Sequence, residues 1–215
     1  MLCMIPVEVK LSGGKAKIKE GSMLYCPSHG VGKIVSIEQK EILGEKITFC
    51  HLEFEKDDMK LLIPIDKLKD EGIRTIITKE GAKKILNGVL NKPAKSAKGI
   101  WSKRIQEYEM KVYSGSAIFI AEVVRDLFAG MKDPNKSYGE RVLYDKAFDR
   151  LVLEMSLALG VTIEEANKVI LDTLNANYKS SHSDIAVEKA DDADGDFEDD
   201  FDDDDEDSGD IANVA

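Results

Sequence analysis

The residues that invite a chemical reading fall into four groups. Cys26, His29, Cys50 and His51 offer two half-sites of metal-ligating type. Zinc needs its donors to converge on one point, and neighbours in a strand face opposite ways. Cys50 and His51 would therefore not serve one ion unless a bulge turned one of them. Gly30, Val31 and Gly32 have the start of a phosphate-cradling spacing, but the third glycine and the Lys-Ser/Thr pair do not follow, so they read as a turn between strands. Asp192, Asp194 and Asp196 begin like a calcium loop, yet the sixth position is Phe197, where the sharp turn needs glycine. With three histidines in the chain, linear pattern assembles no nucleophile, base and orienting group. The expectation is no enzyme, no cofactor and no metal.

The fourth group is different in kind. Between Glu80 and Glu107 there is no acidic residue, and seven cations stand in that window: Lys83, Lys84, Lys92, Lys95, Lys98, Lys103 and Arg104. The only tryptophan, Trp101, stands among them. Lys and Arg gain by releasing counterions from a polyanion, and a large apolar ring beside them can press against or between bases. A tryptophan buried between helices would leave the same sequence, so these residues alone leave DNA contact and core packing both open.

Charge along the chain sharpens the contrast. The formal net charge is −11, but from Asp184 onward there are sixteen acidic residues against one lysine, Lys189. Before Asp184 the chain has 29 basic and 25 acidic residues, so a body near +4 carries a tail near −15. So charged a tail, with few apolar residues, cannot bury enough surface to fold. It could fold back on the basic window or serve only solubility. Cys3, Cys26 and Cys50 are odd in number and widely spaced, with no signal peptide ahead of them, which points to the cytoplasm. No apolar run approaches the roughly 20 residues of a membrane helix.

The elements that must position these groups follow from periodicity. Residues 1–20 mix Gly13 and Gly14 with Lys10, Lys15, Lys17 and Lys19 and read as a flexible basic arm. Short β-branched runs follow at 31–37, 46–54 and 60–65, broken by turn residues. Apolar residues 47 and 49 are out of phase with 52 and 54, which a bulge near Cys50 and His51 would explain. So few short strands make a small, curved antiparallel sheet with an exposed edge, and pairing should stop at Ile63 and Pro64. After Gly72 the period is helical: 79–91 capped by Thr78, 101–113, 116–131, 137–159 opened by a capping box at Ser137 and Glu140, and 162–174 opened by another at Thr162 and Glu165. The fold class is α+β, a small β module followed by an all-α domain of about five helices and a disordered acidic tail. The expected boundaries are 1–20, 21–74, 75–178 and 179–215.

Five segments then carry a resemblance: GSMLYCPSHGVGKI at 21–34, FEKDDMKLLIP at 54–64, WSKR at 101–104, IAEVVRDLF at 120–128 and SYGER at 137–141. In order and spacing they resemble the CarD/CdnL family of bacterial transcription regulators, over about residues 21–174. The acidic tail makes the chain look most similar to alphaproteobacterial members.

The resemblance implies a Tudor-like N-terminal module that binds the RNA polymerase β subunit by lengthening a sheet. Lys40, Leu62, Ile63 and Pro64 fall at the contact positions. It also implies a helical domain on promoter DNA at the upstream edge of the bubble. Trp101 would be the minor-groove wedge, Lys103 and Arg104 would contact phosphates, and Lys95 and Lys98 would add charge. Some relatives have arginine at positions 40 and 62, where this chain has Lys40 and Leu62. Ile105 and Gln106 stand where Tyr and a basic residue are common, and Cys26-Pro27 replaces a usual Tyr-Pro pair. The implied activity is non-catalytic stabilisation of the open complex at selected promoters, such as those for ribosomal RNA, by a cytoplasmic monomer with little sequence preference. The competing expectation is a protein-only adaptor that binds polymerase and recruits another protein, with Trp101 buried.

Overall fold

This computed structural model describes residues 6–54, 58–94, 101–132 and 137–188, with residues 101, 130, 132 and 180–188 confined to backbone. Lys95 and Lys98, the Trp101 side chain and the acidic tail from Lys189 onward lie outside the described residues.

The β module is a five-stranded antiparallel sheet in the order β6-β5-β4-β3-β7. Its strands are β3 (Met23–Cys26), β4 (Gly30–Ile42), β5 (Glu45–Phe54), β6 (Met59–Pro64) and β7 (Arg74–Thr75). Leu24, Cys26, Ile34, Cys50, Leu52 and Phe54 alternate inward along these strands and meet Ile65, Leu68 and Ile73 from the connection between β6 and β7. Gly32 is fixed by this packing, because a Cβ there would come within 2.7 Å of the Phe54 ring.

Two sequence expectations are corrected in this module. Residues 1–20 are not all a loose arm. Val7–Leu11 (β1) and Gly14–Ile18 (β2) form an antiparallel hairpin, and Val9, Leu11 and Ile18 close one end of the β core. The lysines that suggested disorder occupy the outward positions of a period-two pattern, Gly14 takes a positive φ of 121° in the turn, and the Ser12 N–H bonds the Ile73 carbonyl at 2.9 Å. The second correction concerns the bulge. β5 is regular at Cys50 and His51, and the irregularity lies in β4, where the register steps from Ile34↔Leu52 to Ser36↔His51 and passes over Val35. Cys50 faces the core with Leu52 and Phe54, whereas Ile47 and Phe49 belong to the other face.

Among the described residues five α-helices follow: α1 (Lys79–Ile85), α2 (Trp101–Tyr113), α3 (Ala117–Phe128), α4 (Tyr138–Leu159) and α5 (Ile163–Glu188). Thr78 caps α1 by accepting the Gly81 N–H at 3.1 Å, and α1 loosens into a wider π turn over Leu86–Leu90. The Thr162 and Glu165 capping box forms in both directions, at 3.0 and 3.2 Å. The expected box at Ser137 does not, because the Ser137 side chain makes no cap bond and Glu140 turns inward to Arg104. α5 also runs to Glu188 instead of ending near 174, so residues 179–188 are helical where tail was expected. Its extra turns are held at Tyr178, edge-on to Phe128 at 6.5 Å, and at Asn177.

Candidate functional site

Two surfaces bear the residues singled out in the sequence, and a buried joint connects them. The first surface is the outer face of the β sheet at its β6 edge. Among the described residues β6 pairs only with β5, and pairing ends at Phe49↔Pro64. Paired residues of an antiparallel ladder share a face. Register therefore groups Ser36, His51 and Leu62 in one rung, Glu38, Phe49 and Pro64 in the next, and Lys40 with Ile47 beyond. Lys40, Leu62 and Pro64 thus come together on this face. Ile63 does not join them: it pairs with Cys50 and packs toward the β core.

Sequence reading missed Ile47 and Phe49, which complete the face as an apolar stripe leading to the free edge. Their signal was present as the phase slip attributed to a bulge. Past Pro64 the β4–β5 pair continues alone to a tight turn at Leu43 and Gly44, both with positive φ, and Ile42 and the fully exposed Leu43 make its tip apolar. Glu38 lies between Lys40 at 3.6 Å and the His51 Nε2 at 3.4 Å.

The remaining candidate ligands sit apart. Cys26 and Cys50 are buried, and burial pushes the Cys50 thiol up to about 11. His29 packs against the Phe54 ring at 5.3 Å, and His51 faces away from Cys50. Among the described residues no group of three His, Cys, Asp or Glu side chains converges on one point, and no helix is long and apolar enough to cross a membrane.

The second surface is the cationic window, whose two ends are pinned by side chains that the sequence did not flag. At the first end, Arg125 from α3 donates to the Val89 carbonyl at 3.3 Å. Asn177 from α5 donates to the carbonyls of Leu90, at 3.2 Å, and Lys92. At the other end Trp101 opens α2, and Arg104 Nη2 donates to Glu140 Oε1 of α4 at 3.1 Å. Glu140 is almost wholly buried, so Arg104 neutralises a carboxylate that would otherwise be costly to hold there. Lys92 and Lys103 are exposed, as is Gln106. Ile105 packs on the helical core, and Tyr108, one turn on from Arg104, is buried with its hydroxyl pKa raised chiefly by desolvation.

The joint is built on one face of α4. Arg150 and Glu154, one turn apart, are both buried. Arg150 donates to the Pro27 carbonyl at 2.7 Å and to the Ser28 carbonyl, holding the turn between β3 and β4. Glu154 takes the Arg74 guanidinium of β7 in a two-pronged pair, with Nη2 on Oε2 at 2.9 Å and Nη1 on Oε1, and Oε1 also accepts the Ile77 N–H at 3.1 Å. Arg74 further donates to the Gly115 carbonyl at 2.7 Å and lies 4.1 Å over the Tyr25 ring. Tyr25 is fully buried, which drives its pKa up to about 12 despite the nearby Arg150. Tyr25 and Val31 belong to the helical core although their strands belong to the sheet. Gly115 has φ +75°, and a Cβ on it would come within 2.9 Å of the Pro27 ring, so the turn from α2 to α3 seats directly on the β module.

Comparison with known proteins gives concordant matches at both ends. The family model for the CarD-like/TRCF RID domain matches residues 18–77, and that for the CarD C-terminal domain matches residues 84–171. YdeB of Bacillus subtilis (strain 168), which carries a transcription-factor designation, is 28% identical over 142 residues, covering 66% of this chain and 92% of its own. Among solved structures, the solution structure of the 72-residue N-terminal domain of Myxococcus xanthus CarD is 24% identical, covers 35% of this chain and 89% of that one, and has a TM-score of 0.25.

Proposed function

The chain belongs to the CarD family of transcription regulators, and from that premise we propose that it acts without catalysis as a brace between RNA polymerase and an opened promoter. The β module takes the polymerase β subunit by strand addition along β6. Backbone pairing supplies affinity, and the stripe of Leu62, Pro64, Phe49 and Ile47 supplies apolar contact. Lys40 adds a charge at the rim. Ile63 supports the strand from beneath.

The start of α2 faces the upstream edge of the bubble. There Trp101 covers an unstacked base step, a contact of order 1–3 kcal/mol for aromatic stacking on single strands. Lys92, Lys95, Lys98 and Lys103 meet phosphates, which adds affinity and salt dependence with little sequence preference. Arg104 has a double role: its ion pair with Glu140 aims the first turn of α2, and its charge adds to the field that draws phosphates to that turn. A weak DNA contact is enough, because tethering to polymerase raises the local concentration of the second site.

The observation that carries this reading is the pairing of a free, apolar-faced edge strand with a cationic helix start on two halves clamped by one buried joint. The test is the lifetime of polymerase–promoter open complexes after competitor challenge. Wild type lengthens the lifetime, and Trp101→Ala binds polymerase equally well but does not lengthen it. Should wild type bind polymerase and leave the lifetime unchanged, the bubble role fails and a protein-only adaptor takes its place.

A further inference from the structure

The cationic window has a second polyanion within reach, and it belongs to the same chain. Residues 189–215 hold fourteen acidic residues and one lysine. The structure determines where that segment starts. α5 passes the first end of the window, with Asn177 bonded to the carbonyls of Leu90 and Lys92, and continues to Glu188. Eleven residues at about 1.5 Å of rise put the end of α5 on the order of 16 Å from that bond. Exposed Lys92 and Lys179 flank it, and Lys103 lies on the exposed side of α2. A chain of this length extends several times farther than that gap. Tethering on such a scale gives an effective concentration in the mM range, and the attraction is between opposite charges in a dense array.

We infer that residues 189–215 dock on the exposed lysines Lys92 and Lys103 of the cationic window and on Lys179 beside its first end, and that a nucleic acid must displace them to bind there. The docking is electrostatic and has no fixed register, since the tail presents acids at nearly every position from Glu198 to Asp207. It is therefore strong at low ionic strength and weak above about 0.5 M salt, where the screening length falls to a few ångströms. The competition rests on the proposed DNA contact; the docking does not.

The experiment compares the full chain with one ending at Glu188, which keeps every buried side chain of both cores, from Val9 to Leu174. In amide NMR spectra at low salt, residues 90–94 and 101–106 should differ in position between the two proteins while β4 and β5 do not, and about 0.5 M salt should remove the difference. Coincident spectra over those residues would overturn the docking. So would a difference that grows with protein concentration, which assigns the contact to a second molecule. In parallel, the shortened chain should bind a nonspecific duplex about tenfold more tightly at low salt, as loss of a tethered competitor requires. Equal duplex affinities with unchanged spectra would remove the docking and leave the DNA contact standing. Changed spectra with no duplex binding by either protein would remove the DNA contact and leave the docking.

Discussion

Replacing Glu154 by glutamine would leave the Arg74 guanidinium against Tyr25 without its counter-charge, in a part-buried place where water compensates only in part. Breaking one side of a buried pair costs about 3–5 kcal/mol, and because glutamine keeps an acceptor the expected loss is near 3, read from urea unfolding. The double change Arg74→Met with Glu154→Leu should recover much of that loss, since it removes both charges together. Cys50 makes a different kind of prediction. Its folded-state pKa, pushed up to about 11 from 9.0, means that the native state holds the thiol proton more tightly than the unfolded chain does. Stability is therefore unaffected below about pH 9 and falls as pH rises through 9 to 11, with Tyr25 adding to the loss between 10 and about 12. Thermal melts between pH 8 and 10 should show this decline in wild type, and Cys50→Ala, though less stable throughout, should show a shallower one.

The β1–β2 hairpin lets an element-scale reading be checked. If residues 1–20 were a loose arm, deleting residues 2–20 would cost nothing. Val9, Leu11 and Ile18 are each at most 3% exposed, so at about 1.5–3 kcal/mol for each buried aliphatic side chain the deletion should remove several kcal/mol and lower the melting temperature markedly. The sequence hid this hairpin because Lys10, Lys15, Lys17, Lys19, Gly13 and Gly14 stand among its apolar residues, while the alternation that reveals it spans only a few residues. Helix starts were more legible. Thr78 and Thr162 act where a side-chain cap was expected, whereas Ser137 does not, because Glu140 is drawn to Arg104 from another helix and local pattern cannot register a distant partner. The same limit applies to the candidate surfaces. Lys40, Leu62 and Pro64 were placed by resemblance, and the stripe that joins them was visible as a phase slip but taken for backbone irregularity. Phe49→Asp therefore becomes informative: Phe49 is on the outer face, so the melt should change little while binding to a polymerase β fragment weakens at least tenfold, measured by calorimetric titration.

For the molecule as a whole, the joint decides whether the two surfaces keep a constant separation. The core from Val9 to Ile73 lies within the β module, whereas the helical core reaches across to Tyr25 and Val31, so loosening the joint should disturb the helical half before the β core unfolds. Arg150→Met deletes the donors to the Pro27 and Ser28 carbonyls and should lower stability by about 2 kcal/mol, with calorimetry showing two transitions where wild type shows one. The clamp also has a place in time. Arg74 and Glu154 are 80 residues apart in the chain, and at about 5–20 residues per second of synthesis Glu154 is made some 4–16 s after Arg74. The β core is complete in sequence once Ile73 has emerged, so for those seconds Arg74 is a hydrated cation on a module whose Tyr25 and Val31 still await the helices that bury them. Contacts made last are weak in the transition state for folding, so their loss is felt mainly in the rate of coming apart. The joint thus governs how long an assembled molecule lasts more than how quickly either half forms.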